Sequence, residues 1–124
     1  STTIKNSFLF NLNMFYKNTK TIFKNSNGQI SYCEKCKIYY IEFNNILLEL
    51  YIEELMYLRD LILNQEKWVT RNKKLIKTDI IPIPTLQENL ILLFDKNQIE
   101  QFKEIVFMKK LSNKIFPHYD YSLN

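Results

Sequence analysis

Asn45-Ile46-Leu47-Leu48-Glu49-Leu50 runs directly into Tyr51-Ile52-Glu53-Glu54-Leu55-Met56-Tyr57-Leu58-Arg59-Asp60-Leu61-Ile62. Forty-four residues later, Asn89-Leu90-Ile91-Leu92-Leu93-Phe94 runs into Asp95-Lys96-Asn97-Gln98-Ile99-Glu100-Gln101-Phe102-Lys103-Glu104-Ile105-Val106. Leu55, Leu58, Leu61 and Ile62 fall opposite Ile99, Phe102, Ile105 and Val106, and Arg59-Asp60 falls opposite Lys103-Glu104. Each copy is a short apolar strand followed by an amphipathic helix, because its apolar residues recur at helical spacing. Asp95 with Gln98 three residues on forms a capping-box pattern, which marks the second helix start. In the first copy Tyr51 replaces the capping residue, so the helix expected over residues 51–66 starts less sharply. Glu53 and Glu54 sit in its first turn, where carboxylates complement the helix dipole.

Upstream, Asn27-Gly28 separates Thr21-Ile22-Phe23-Lys24 from Gln29-Ile30-Ser31-Tyr32. Asn-Gly supplies the positive-φ conformations of a tight hairpin, so these segments are expected to pair antiparallel. Lys37 to Phe43, rich in aromatic and β-branched residues, reads as a third strand, and Ile46 to Leu50 as a fourth after the Asn44-Asn45 turn. Tyr39 and Tyr40 point to opposite faces of the third strand, so one at most belongs to the core. Arg71-Asn72-Lys73-Lys74 reads as a solvated loop and Trp68 as a core plug. Pro82 and Pro84, two apart, place both missing N–H groups on one side of an extended segment, which suits an edge strand.

The fold class that follows is α+β: an antiparallel sheet of about six strands with two helices on one face, built as pseudo-duplicated β-β-α halves. The 124 residues form one domain. Residues 1–19 read as an N-terminal extension and 113–124 as a C-terminal tail. With 46% hydrophobic and 15% aromatic residues the chain can bury a substantial core. No apolar run reaches the roughly 18–20 residues that span a bilayer. No small-residue cleavage site follows Phe8-Leu9-Phe10, and a first residue Ser1 fits removal of an initiator Met, so the expected location is the cytoplasm.

The net charge of +4 is arranged in blocks. Residues 41–66 hold six acids and one Arg, and residues 67–78 hold five cations and no acid. Such blocks read as solvated faces and loops, and a nucleic-acid binder shows a more continuous basic surface.

Cys33-Glu34-Lys35-Cys36 is the one chemical motif. A redox dithiol places its first Cys at a helix N-terminus, where the dipole lowers its pKa; here a strand follows, although Lys35 and Lys37 favour a thiolate. A structural zinc needs four ligands, and the chain offers Cys33, Cys36 and His118, so a carboxylate or a second chain has to complete the set. The third reading is two small buried thiols, and it is the expected one, since an isolated Cys-x-x-Cys is a weak signal. There is no Gly-rich phosphate loop and no paired-His metal motif. No enzyme, catalytic residue, resident metal or cofactor is expected, with zinc at Cys33 and Cys36 as the alternative.

Three segments, Asn27 to Cys36, Tyr39-Tyr40-Ile41-Glu42-Phe43 and Ile81-Pro82-Ile83-Pro84-Thr85, resemble a family of short uncharacterised cytoplasmic proteins common in Bacteroidetes. That family shows a Gly-containing hairpin, a Cys-x-x-Cys, an aromatic strand ending in Phe, a helix, a proline-bearing strand and a second strand–helix unit. The resemblance covers roughly residues 20–112 and implies the segmentation and a bacterial cytosol, with no activity. Where the family carries a His after the cysteines this chain has Tyr40, which weakens a metal reading.

The expected function is a small non-catalytic interaction protein, an accessory subunit of a larger cytoplasmic assembly. Phe8, Phe10, Phe15 and Tyr16 at one end and Phe116, Tyr119 and Tyr121 at the other are the expected contacts, since exposed aromatics anchor interfaces. The first alternative is a nucleic-acid-associated protein. Lys17, Lys20, Lys24, Lys35 and Lys37 would hold phosphates beside Phe15, Tyr16, Phe23 and Tyr32. The second is a thiol-redox or zinc-knuckle protein using Cys33 and Cys36. Neither a membrane nor a small-molecule substrate is indicated.

Overall fold

The computed structural model describes residues 18–111. Four strands, β1 (Thr19–Asn25), β2 (Gly28–Cys33), β3 (Ile38–Phe43) and β4 (Ile46–Leu50), form an antiparallel sheet in sequence order. Helix α1 (Ile52–Arg71) follows, then a single turn α2 (Lys73–Ile76). Among the described residues β5 (Ile81–Pro84) and β6 (Ile91–Phe94) pair only with each other, and α3 (Lys96–Phe107) is the last element. The class is α+β, as expected, but the single six-stranded sheet is not what forms: the strands divide into a sheet of four and a sheet of two. Pro82 and Pro84 lie opposite Leu93 and Ile91 in the small sheet. Prolines cannot donate to a ladder, which keeps that ribbon narrow.

The near-repeat predicts the buried helical positions and little beyond them. Leu55, Leu58 and Ile62 of α1 and Ile99, Phe102, Ile105 and Val106 of α3 are buried in one cluster with Ile30, Ile41 and Phe43 of the large sheet. Both helices therefore pack on the same sheet face, α1 over β3 and β4, α3 over β1 to β3. The surroundings of the two copies differ, since β4 completes a four-stranded meander and β6 a two-stranded ribbon. Helix α1 also runs on past residue 66. Its apolar row continues to the buried Val69, so Trp68 falls outside that row and is 52% exposed, not a core plug. The expected loop at 71–74 is instead the end of α1, its cap Asn72 and the start of α2.

Helix α3 starts as its sequence predicts. The Gln98 N–H donates to Asp95 Oδ1 at 2.8 Å and the Asp95 N–H to Gln98 Oε1 at 2.9 Å. Helix α1 lacks a side-chain acceptor from Tyr51, but Glu54 reaches back to the Tyr51 N–H at 2.8 Å.

The first hairpin turns by a different mechanism from the expected one. Neither Asn27 nor Gly28 has positive φ. Asn25 closes the turn with its side chain, Oδ1 accepting from the N–H groups of Asn27 (2.9 Å) and Gly28 (3.1 Å), an Asx arrangement. Gly28 is needed for space: a Cβ there would lie 1.9 Å from the Glu42 carbonyl oxygen of the neighbouring strand. The amide of Asn25 then donates to Gln101 O (3.1 Å) and Glu104 Oε1 (3.0 Å), so one side chain shapes the hairpin and fastens it to α3. Among the described residues no helix is long and apolar enough to cross a membrane.

Two outcomes follow from this core. Phe102 is 1% exposed, and Phe102→Ala should cost about 3–5 kcal/mol in chemical denaturation. Glu66, half-buried, pairs with the buried Lys103 at 3.1 Å. Burial raises its carboxyl above the ordinary range, with Lys103 pulling it back. A raised folded pKa contributes stability at low pH that is lost as the group ionises. The stability of Glu66→Gln relative to wild type should therefore improve from roughly pH 4 to pH 7, and a flat difference across that range would show that Glu66 does not titrate this way.

Candidate functional site

The Cys33–Cys36 turn joins β2 to β3. Lys37, directly after the second Cys, takes left-handed φ of 61°, and its N–H donates to Cys33 O at 2.7 Å. The Cys36 N–H donates to Cys33 Sγ at 3.1 Å. The Cys36 thiol is itself hydrogen-bonded to Cys33, and this bond, with burial, raises its pKa. Both cysteines are free thiols, Cys33 buried and Cys36 half-buried. Cys33 packs with Tyr40 on the sheet face opposite the helices. Tyr39 faces the core side, where its ring lies 4.5 Å from that of Tyr32. Among the described residues no three His, Cys, Asp or Glu side chains converge; His118 lies outside them. The turn thus presents two of the four ligands a structural zinc requires.

The basic set is divided. Lys20 pairs with Tyr32 near the cysteine turn that carries Lys35 and Lys37, whereas Lys24 pairs with Gln29 near the other turn. Four residues of strand, about 13 Å, separate Lys20 from Lys24. Phe23 packs against the core and is not a free stacking surface. Lys17 and the terminal aromatics Phe8, Phe10, Phe15, Tyr16, Phe116, Tyr119 and Tyr121 lie outside the described residues.

Three buried charged groups were not legible as such in the sequence. Glu104 accepts from the Asn25 amide and, through its other oxygen, from the Leu111 N–H at 3.0 Å. Lys103 bridges to Glu66. Arg59 is 3% exposed. Its Nε donates to Val106 O at 2.8 Å, at the C-terminal end of α3, and its guanidinium lies 5.2 Å from the centre of the Phe107 ring. Among the described residues neither Nη atom has a hydrogen-bond partner. Burial pulls the group down to about 10, with Tyr39 opposing. These groups tie α3 to its neighbours. The only advance signal was the alignment of Arg59 with Lys103.

Among the described residues one open feature of the surface is a groove of about 350 Å³ between β4, α1 and the segment from Pro84 to Leu92. Leu48, Leu58 and Leu61 form its floor side, while Leu47, Tyr57 and Leu86 stand about half exposed (46%, 57% and 54%). The Pro84–Leu92 wall is shaped by Thr85, whose Oγ1 accepts from the Gln87 N–H at 3.1 Å and whose N–H donates to Leu90 O at 3.2 Å. Glu49 and Glu54 are the charged groups of the lining, and no cation lines it among the described residues. Sequence reasoning missed this site. Its signal was Tyr57, apolar on the outward side of α1, and Leu86 and Leu90 in a turn.

No curated protein and no solved structure matches the chain. One family model does, over residues 14–124, and this span takes in the C-terminal tail that the resemblance left outside residues 20–112. The chain belongs to a family of unknown function, DUF6686.

Proposed function

We infer that the protein is a small non-catalytic interaction protein, an accessory subunit of a larger cytoplasmic assembly. The observation that carries this reading is the set of large exposed apolar side chains lining one groove, with Leu47, Tyr57, Leu86 and Leu90 all at least 44% exposed. Scattered surface apolar residues need no explanation, whereas a contiguous patch rimmed by charge marks an interaction surface. The buried charges support the same reading, because Arg59, Lys103 and Glu104 are engaged in holding the fold. The terminal aromatics, from Phe8 to Tyr16 and from Phe116 to Tyr121, belong to the reading as additional partner contacts.

The test is reconstitution. A tagged full-length chain in native lysate should elute well above its 15.1 kDa mass, and the co-eluting protein, purified separately, should re-form the complex at fixed stoichiometry. Elution as a lone monomer, with no protein that re-forms a complex, overturns the reading.

A thiol or zinc protein is the second reading, and the geometry of the Cys33–Cys36 turn favours it. The N–H donated to Cys33 Sγ and the left-handed Lys37 are what a two-thiolate metal turn uses. On the first reading, Cys33→Ser with Cys36→Ser leaves the partner complex intact and costs about 1–2 kcal/mol of stability, chiefly at the buried Cys33. Stoichiometric zinc in natively purified protein, or unfolding by a chelator, transfers the assignment to the second.

A further inference from the structure

The two edges of the large sheet are built differently. On β1, Ile22 interrupts the register as a bulge between Thr21 and Phe23, and Lys20 and Lys24 stand exposed. Bulges and lysines are the usual protection of an edge against pairing with another strand. β4 has neither. Its register with β3 runs unbroken from Phe43–Ile46 to Tyr39–Leu50, and its sequence, Ile46-Leu47-Leu48-Glu49-Leu50, holds no lysine and no proline.

The two-residue turn Asn44-Asn45 makes Phe43–Ile46 the hydrogen-bonded closing pair. Bonded and non-bonded pairs alternate along an antiparallel ladder. Ile46, Leu48 and Leu50 therefore spend their N–H and C=O groups on β3, and those of Leu47 and Glu49 point away from the sheet. No backbone hydrogen bond from another described element reaches Leu47 or Glu49. The groove lies along this edge.

We propose that the β4 edge takes an extended segment of a partner protein as a fifth strand, with apolar residues alternating with lysine or arginine. The proposal rests on the interaction reading above and names the partner's chemistry. Side chains of an added strand alternate between faces. Those on the helix side meet Leu48, Leu58, Leu61 and the Pro84–Leu92 wall, which calls for apolar groups. Those on the other side meet Glu49, which shares that face with Tyr40. Glu49 calls for positive charge on that face, and among the described residues no cation lines the groove. Backbone bonds supply the pairing and the alternating side chains the selectivity. β4 is 5 residues long, so a partner segment of about five to eight residues fills the edge.

The probe is a fluorescein-labelled octapeptide of alternating valine and lysine, titrated into the full-length chain by fluorescence anisotropy. Two comparison peptides are used, alternating valine and glutamate, and four valines followed by four lysines. The alternating basic peptide should bind at least about tenfold tighter than either, and should protect the amides of Leu47 and Glu49 from hydrogen exchange. Leu47→Pro removes the outward N–H together with the leucine side chain and should weaken binding at least about tenfold; the amide-protection readout in wild type stands independently of that variant. Equal binding of the block peptide, protection confined to another surface, or no binding overturns the proposal. So does concentration-dependent protection of Leu47 and Glu49 without peptide, which assigns the edge to a second copy of the chain. A reconstituted partner complex that protects some other surface removes the strand addition and leaves the interaction reading standing. Failure to obtain any such complex removes the reading itself.

Discussion

Three phenyl rings hold the two sheets in their relative positions. Phe43 of β3, Phe94 of β6 and Phe102 of α3 meet pairwise at 5.6, 5.2 and 4.8 Å between centroids, two contacts edge-on and one stacked. Such pairs contribute roughly 0.5–1.5 kcal/mol each beyond the area they bury. Among the described residues no strand pairing links the large sheet to the small one, so their alignment rests on side-chain packing, and this cluster is where β3, β6 and α3 converge. The groove depends on it directly. One wall belongs to β4 of the large sheet and the other to the segment joining β5 to β6, so the rings set the spacing between them.

A single glycine explains much of what could and could not be read from the sequence. Strands and helices were legible because their apolar periods are clean: the buried rows of α1 and α3 and the capping box of Asp95 and Gln98 follow from spacing alone. Turns were less legible. The one glycine serves the close approach to Glu42, which no local rule predicts, because the clash comes from a strand fourteen residues away. The left-handed positions fall to Lys37, Asn44, Lys77 and Met108. At Lys37, Lys77 and Met108 the side chain costs roughly 1 kcal/mol or more relative to glycine, and each marks a turn or helix end without a residue that announces it, whereas Asn44 lies in the turn that its sequence signals. The division into four and two strands was hidden for a related reason: hydrophobic pattern fixes which face of a strand is buried, and not which strand lies beside it.

Charge misled in the opposite direction. Blocks of like charge read as solvated faces, yet Arg59, Lys103 and Glu104 are buried because each finds a specific partner or a carbonyl at a helix end. Their burial is a property of the α1–α3 contact, which exists only after folding. The cysteine motif was legible as a motif, while the feature that gives it chemical interest, the N–H donated to Cys33 Sγ, depends on the left-handed turn at Lys37. The groove was the least legible element, since its lining comes from three segments that are distant in sequence.

The polar links are unevenly distributed, and this bears on how the groove can work. α3 is fastened by Asn25 to its Gln101 carbonyl and Glu104, by Arg59 to its Val106 carbonyl, and by Glu66 to Lys103. Among the described residues the β5–β6 ribbon, by contrast, has one side-chain hydrogen bond to the helix layer, from Gln65 Nε2 to Pro82 O at 2.8 Å. Its remaining attachment is apolar, through Ile81, Ile83, Leu92 and Phe94. Apolar contacts tolerate small displacements, whereas directional bonds do not. Local stability is lowest where few such bonds cross between elements. The ribbon is accordingly the wall free to adjust, and the β4 edge, held by its full ladder to β3, is the fixed one. A rigid template facing a compliant apolar wall can accept segments of different side-chain size without disturbing the core at Phe43, Phe94 and Phe102.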